Sequence, residues 1–166
     1  MTRRFLLYPN RLLRKICAPV ERVDEPVRAL WEEMLAAMYA MPGVGLAASQ
    51  IGELRRVAVV DCSEGRDAPV RMANPELLHV SARMAEREEG SPNIPGLWAM
   101  VSRPRAITVR YSDETGAVVE RDFVGLWAAS VQHQIDHLNG KLFIDHLSPV
   151  KRKMLLAKHG KNMKRR

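Results

Sequence analysis

The sequence holds only two cysteines among 166 residues, Cys17 and Cys62, placed 45 positions apart and without a CxxC neighbour. That scarcity excludes a disulfide framework and a thiolate zinc cluster, and predicts two buried free thiols in a reducing compartment. Aromatic residues make up 5% of the chain. No apolar run approaches the ~20 residues that cross a bilayer. The start, Met1-Thr2-Arg3-Arg4-Phe5-Leu6-Leu7-Tyr8-Pro9, has arginines but no leader-length apolar stretch, because Pro9, Asn10 and Arg11 interrupt it. A cytoplasmic location is the expectation. There is no internal repeat and no low-complexity stretch, so the length predicts one domain with a real core.

Acidic residues are also missing where bases are densest. Residues 151–166 carry eight Lys or Arg and no acid, which leaves 18 basic against 19 acidic residues in 1–150. The net charge of +7 is therefore a property of the C-terminal end. We expect a near-neutral body over 1–150 and a basic helix or tail over 151–166. Such an end is either a solvated extension or a handle for a polyanion, with RNA or the ribosome the leading candidate; DNA and membrane are not expected.

What is present reads as a mixed α and β chain. Asp24 can cap a helix with Pro26 in its first turn. Val27, Leu30, Trp31, Met34, Leu35 and Met38 then share one face, up to a stop at Pro42-Gly43. Val57–Val60 is β-rich and is followed by turn-forming Ser63-Glu64-Gly65. Strands are expected across 70–88 around an Asn74-Pro75 turn. A hairpin is expected from 105–111 and Val118–Phe123, joined through Asp113-Glu114-Thr115-Gly116. Two further helices are predicted, one from Gly125 to Leu138 stopped by Asn139-Gly140, the other beginning at Ser148-Pro149. The sum is an α+β fold: antiparallel strands around a central helix, with N-terminal and C-terminal helices beside it.

Three segments can carry chemistry. Gly43 to Gln50, GVGLAASQ, is a loop opening into small residues, where glycine admits close backbone approach and Gln50 offers both a donor and an acceptor. Glu89 to Pro95, EGSPNIP, is a stretch stiffened by two prolines. Gln132 to Gly140, QHQIDHLNG, puts His133 and His137 at i, i+4 on one helix face, where both reach a common metal ion. Each alone has an ordinary structural explanation.

Together and in order, the three segments resemble the signature motifs of the peptide deformylases, GxGLAAxQ, EGCLSxP and QHExDHLxG. Tyr8-Pro9, Leu13-Arg14, Pro19-Val20, Asn74-Pro75, Arg103-Pro104, Lys141-Leu142-Phe143 and Leu147-Ser148-Pro149 also fall where that family has similar residues. The resemblance covers nearly the whole chain. It implies the deformylase fold and removal of the formyl group from the N-terminal methionine of nascent proteins. It also implies one divalent metal (Fe, Zn or Ni) on a Cys and two His, a Glu that moves protons, and a Gln that steadies the oxyanion. On this chain the metal ligands would be His133, His137 and the residue at 91. The catalytic positions would be Gln50, Pro92 and Gln134, and the substrate wall would include Val44, Gly45, Trp98 and Ala129.

Three of those positions depart from the family pattern. Ser91 replaces the ligand Cys, and an alcohol that stays protonated at neutral pH supplies neither the charge nor the soft donor of a thiolate. Pro92 has no N–H, so the backbone donor that would hold the oxyanion is missing, a loss that typically costs ~10²–10³ in rate. Gln134 replaces the Glu and cannot take a proton, which removes a factor of ~10²–10⁴. Trp98 stands where many members have Arg at the cleft mouth. It is expected either to reshape the mouth or to be a loop aromatic resting on the surface.

The expectation is a deformylase-like protein that keeps its peptide cleft without the usual catalysis, holds no resident metal, and binds N-terminal methionyl or formyl-methionyl peptides. An active metal hydrolase with altered ligation is the alternative.

Overall fold

The computed structural model describes residues 3–166, so Met1 and Thr2 of the N-terminal stretch read above lie outside the described residues. Helix α1 (Glu25–Tyr39) starts as its capping residue requires, with the Asp24 carboxylate accepting from the Val27 N–H at 3.1 Å. Val27, Leu30, Trp31, Met34 and Met38 are buried on one face. The helix ends at Tyr39, earlier than Pro42 suggested. The residue ahead of a proline is driven out of helical geometry, and here that residue is Met41.

The strands are β1 (Gly45–Ala47), β2 (Val57–Val60), β3 (Val70–Val80), β4 (Met84–Gly90), β5 (Trp98–Pro104), β6 (Ala106–Ser112) and β7 (Val118–Val124). Five of them form one sheet in the order β1-β2-β3-β6-β7, with every neighbouring pair antiparallel. Strands β4 and β5 form a separate two-stranded sheet in which Gly90 lies opposite Trp98.

Asn74-Pro75 is not a turn. Strand β3 runs straight through it, with a register shift between Ala73 and Glu76 and a left-handed Asn74 at φ 51°. Pro75 offers no ladder N–H, so the pair makes a bulge rather than a reversal. The Asn74 side chain pins the bulge by accepting from the Val20 N–H and donating to the Val20 carbonyl, at 2.9 and 2.8 Å. Nor does the chain reverse at 81–83: the Ser81 N–H donates to the Ala106 carbonyl and the Arg105 N–H to the Arg83 carbonyl, so β4 continues the course of β3 along β5 and β6, and the reversal falls between Gly90 and Trp98.

Helix α2 (Gly125–Leu138) is the central element. Ala128, Val131 and Ile135 pack on Val60, Met72, Val109 and Phe123 of the large sheet. Its stop is tight: a Cβ on Gly140, at φ 74°, would stand 2.8 Å from the Arg14 carbonyl carbon. Helix α3 (Pro149–Lys164) begins under a Ser148 cap and runs through most of the basic end. It seats Leu155 and Leu156 against the cluster of Leu13, Leu142 and Phe143, and buries His159, whose Nε2 lies 3.3 Å from the Tyr8 carbonyl oxygen.

The described residues thus form an α+β fold with antiparallel sheets and three α-helices, as the sequence predicts. Cys17 is buried and Cys62 half-buried, and both are free. No described helix is long and apolar enough to cross a membrane.

Candidate active site

Gln50 sits in the single turn Ala48–Ile51 that follows β1. Its carbonyl oxygen Oε1 accepts from the Ala47 N–H at 2.9 Å, which aims the amide nitrogen across the molecule. That nitrogen donates to Asn93 Oδ1 at 2.7 Å and makes a long 3.5 Å contact with Ser91 Oγ. The Ser91 hydroxyl in turn donates to Asn93 Oδ1 at 3.1 Å. Asn93 also donates to the carbonyls of Gln50 and Leu6, so one buried carboxamide joins the N-terminal strap to two of the motif segments.

The two histidines come from α2, four residues apart. Their Nε2 atoms face each other at 3.0 Å. His133 Nδ1 lies 2.8 Å from Glu89 Oε1, at the end of β4. Glu89 is also gripped in two-point fashion by Arg103 of β5, at 2.7 and 3.0 Å, and Arg103 reaches on to Asp136 at 2.9 Å. Burial alone would raise the Glu89 carboxyl, but its hydrogen bonds to His133 and Arg103 outweigh that and hold it down at about 2. An ionised Glu89 accepts the His133 Nδ1–H, which leaves the His133 Nε2 facing His137. Burial, reinforced by the charge of His133, pushes the His137 imidazole well below the ordinary histidine range.

Gln134 lies between them in the helix, 4% exposed, and its Oε1 has no hydrogen-bond partner. Gly45 is what lets it fit. A Cβ there would stand 2.6 Å from Ser130 Oγ and nearer still to the Gln134 amide nitrogen.

These groups surround a cavity of about 340 Å³. Of the residues expected at the site, Val44, Gly45, Gln50, Ser91 and Pro92 line it. So do Trp98, Ala129, His133 and Gln134. His137 does not; it is buried beneath, at 1% exposure. Trp98 is not a loop residue. It opens β5 and lines the cleft mouth at 62% exposure, its ring lying so close over Gly90 that a Cβ there would be 2.6 Å from Cε3.

Sequence reasoning missed Glu89, Asn93, Arg103 and Asp136 as members of the site. Glu89 and Arg103 were visible only as a motif's first letter and half of an Arg-Pro pair. What couples them is a strand register, which no local pattern announces.

The donor set does not match the metal site that the resemblance implies. Two imidazole nitrogens converge, but the third position is a hydroxyl already engaged by Asn93, and both Glu89 oxygens are engaged by Arg103 and His133. Among the described residues no group of three or more His, Cys, Asp or Glu side chains is placed to hold a metal ion. An anionic third ligand is what these residues lack.

This fold and cleft are those of an amide-hydrolase family. The sequence model for polypeptide deformylase matches residues 2–153. A peptide deformylase of Mesorhizobium japonicum is 45% identical over 158 residues, covering 94% of this chain and 90% of that one. One of Hydrogenovibrio crunogenus is 44% identical over 158 residues, covering 95% and 93%. Among solved structures, a Legionella pneumophila peptide deformylase superposes with a TM-score of 0.92 at 40% identity, over 99% of this chain and 96% of that one. The Ehrlichia chaffeensis enzyme in complex with actinonin gives 0.89 at 32% identity, over 95% of each chain. The chain belongs to the polypeptide deformylase family.

Proposed function

We propose that this family member receives the N-terminal methionyl or formyl-methionyl end of a peptide in its cleft and does not turn it over at the rate ordinary to the family. The observation that carries the reading is Gln134. It occupies the helix position between the histidines, flush against Gly45, and a carboxamide there can orient a ligand by hydrogen bonding but cannot accept a proton. The chain's own groups then act as a holder. The Gln134 amide donates toward a ligand carbonyl, and the long Gln50 contact to Ser91 is weak enough for a ligand oxygen to replace it. Val44, Ala129 and Trp98 enclose the apolar part of the ligand.

A second reading is a metal-dependent hydrolase with altered ligation. It is favoured by the convergence of the two Nε2 atoms at 3.0 Å and by the names of the relatives, which speak for deformylase chemistry and nothing for its loss. Calorimetric titration with formyl-Met-Ala-Ser and elemental analysis of protein purified without added metal separate the two. Binding with substoichiometric metal supports the holder. One metal per chain supports the hydrolase, and no binding of any peptide sinks the holder.

The exposed bases of α3, among them Lys151, Lys158, Lys161 and Lys164, suit a polyanion, and we propose the ribosome as that partner. Co-sedimentation that weakens with salt and disappears on removal of 151–166 is the expected result; no pelleting of the full chain at low salt contradicts it.

A further inference from the structure

Between the end of α1 and the start of β1, the chain runs without regular structure, and it is this stretch that walls the cleft: Met41, Pro42, Gly43 and Val44 line the cavity. Its shape depends on what satisfies its carbonyls. Val44 accepts from the Asp61 N–H at 2.9 Å. The carbonyls of Met38, Met41 and Gly43 all turn toward one side chain, Arg66, which donates to Gly43 at 2.9 Å, to Met41 at 3.2 Å and to Met38 at 3.3 Å. A planar guanidinium with fixed, divergent N–H groups suits this task, since it can address several carbonyls at once from one plane.

Arg66 is itself held in place. Its guanidinium carbon sits 5.2 Å from the Tyr39 ring centroid, and the Tyr39 hydroxyl donates to Asp61 Oδ2 at 2.6 Å. Buried Asp61 also gathers the Ser63 N–H at 2.9 Å and the Ala68 N–H at 3.2 Å, closing the turn that carries Arg66. Within that turn Arg66 has φ 52°, a left-handed conformation that a long side chain keeps only where its surroundings hold it. The residue does not line the cavity.

We propose that Arg66 is a positioning residue for the cleft: it clamps the wall 41–44 in its receptive shape from behind, without touching the ligand. The inference rests on the reading of the cleft as a peptide site, and its test has one arm that needs no peptide. In the full chain, Arg66→Asn keeps a residue type tolerant of the left-handed backbone but cannot reach the carbonyls. Arg66→Lys keeps the charge and can reach fewer of them.

Amide hydrogen exchange without ligand is expected to speed up in 41–46 in Arg66→Asn, with α2 and the β3–β6 ladder unchanged and Arg66→Lys in between. If the wall is then competent about one-tenth of the time, the formyl-Met-Ala-Ser dissociation constant rises roughly tenfold. Unchanged exchange at 41–46, or an increase spread over the whole chain in both variants, overturns the proposal. Local acceleration in a protein that binds no peptide upholds the clamp and overturns the peptide reading instead.

Discussion

The side-chain amide of Gln50 donates to Asn93 Oδ1 at 2.7 Å, so one of its two N–H groups is committed inside the protein before any ligand arrives. Pro92 next door has no N–H to offer in its place. The floor of the cleft is therefore short of donors at the point where an oxyanion would need them, and the hydroxyl of Ser91 is drawn toward Asn93 as well.

Because the three departures fall on separate requirements, restoring one group should return only that group's own factor. Gln134→Glu alone is expected to raise formate release by ~10²–10⁴ and Pro92→Leu alone by ~10²–10³, while Ser91→Cys alone acts through metal retention. The triple variant is expected to gain roughly 10⁴-fold or more, the lower product of the proton-transfer and oxyanion factors. Formate release from formyl-Met-Ala-Ser by metal-supplied protein reads the result. A single variant that reached the rate of the triple would mean that the losses are not independent.

Gly45 is predicted to be intolerant of a methyl group. In Gly45→Ala the new Cβ meets Ser130 Oγ at 2.6 Å and the Gln134 amide nitrogen, and these must move into the cavity. Overpacking of this kind costs about 1–3 kcal/mol. Peptide affinity by calorimetry should fall while the fold, followed by circular dichroism, stays native. An unchanged dissociation constant would show that the ligand does not use this end of the cleft.

Glu89 should leave its mark on acid stability. Its folded-state value of about 2 lies below the ordinary 4.5, so its contribution is fully present above pH 4.5 and is lost as the pH falls toward 2. Urea unfolding at pH 6 and pH 3 is expected to show a smaller acid-induced drop in Glu89→Gln than in the parent chain. Equal drops would mean that the grip of Arg103 and His133 on this carboxylate does not set its titration.

The helices were the most legible part of the sequence. α2 falls on the expected bounds, since Gly125 opens it and Asn139-Gly140 closes it, and α1 is marked by Asp24 and a regular apolar stripe. Asn74-Pro75 misled because its residues suit a turn and a bulge equally, and only the pairing of β3 with β6 decides between them. The site shows the same division. Motif residues 45, 50, 91, 92 and 134 could be placed through the resemblance to the family's motifs, and the cavity gathers them. Asn93 and Arg103 could not, because their importance arises from contacts across 43 and 33 positions of chain, to Gln50 and Asp136. Arg66 carried no signal at all; a lone arginine in a polar turn reads as surface.

The most direct measurement is formate release from formyl-Met-Ala-Ser by freshly purified protein supplied with iron, nickel or zinc, beside an ordinary family member assayed identically. The account predicts release at least about 10⁴-fold slower than the ordinary enzyme, together with measurable binding of the intact peptide. Release within tenfold of that enzyme would contradict it.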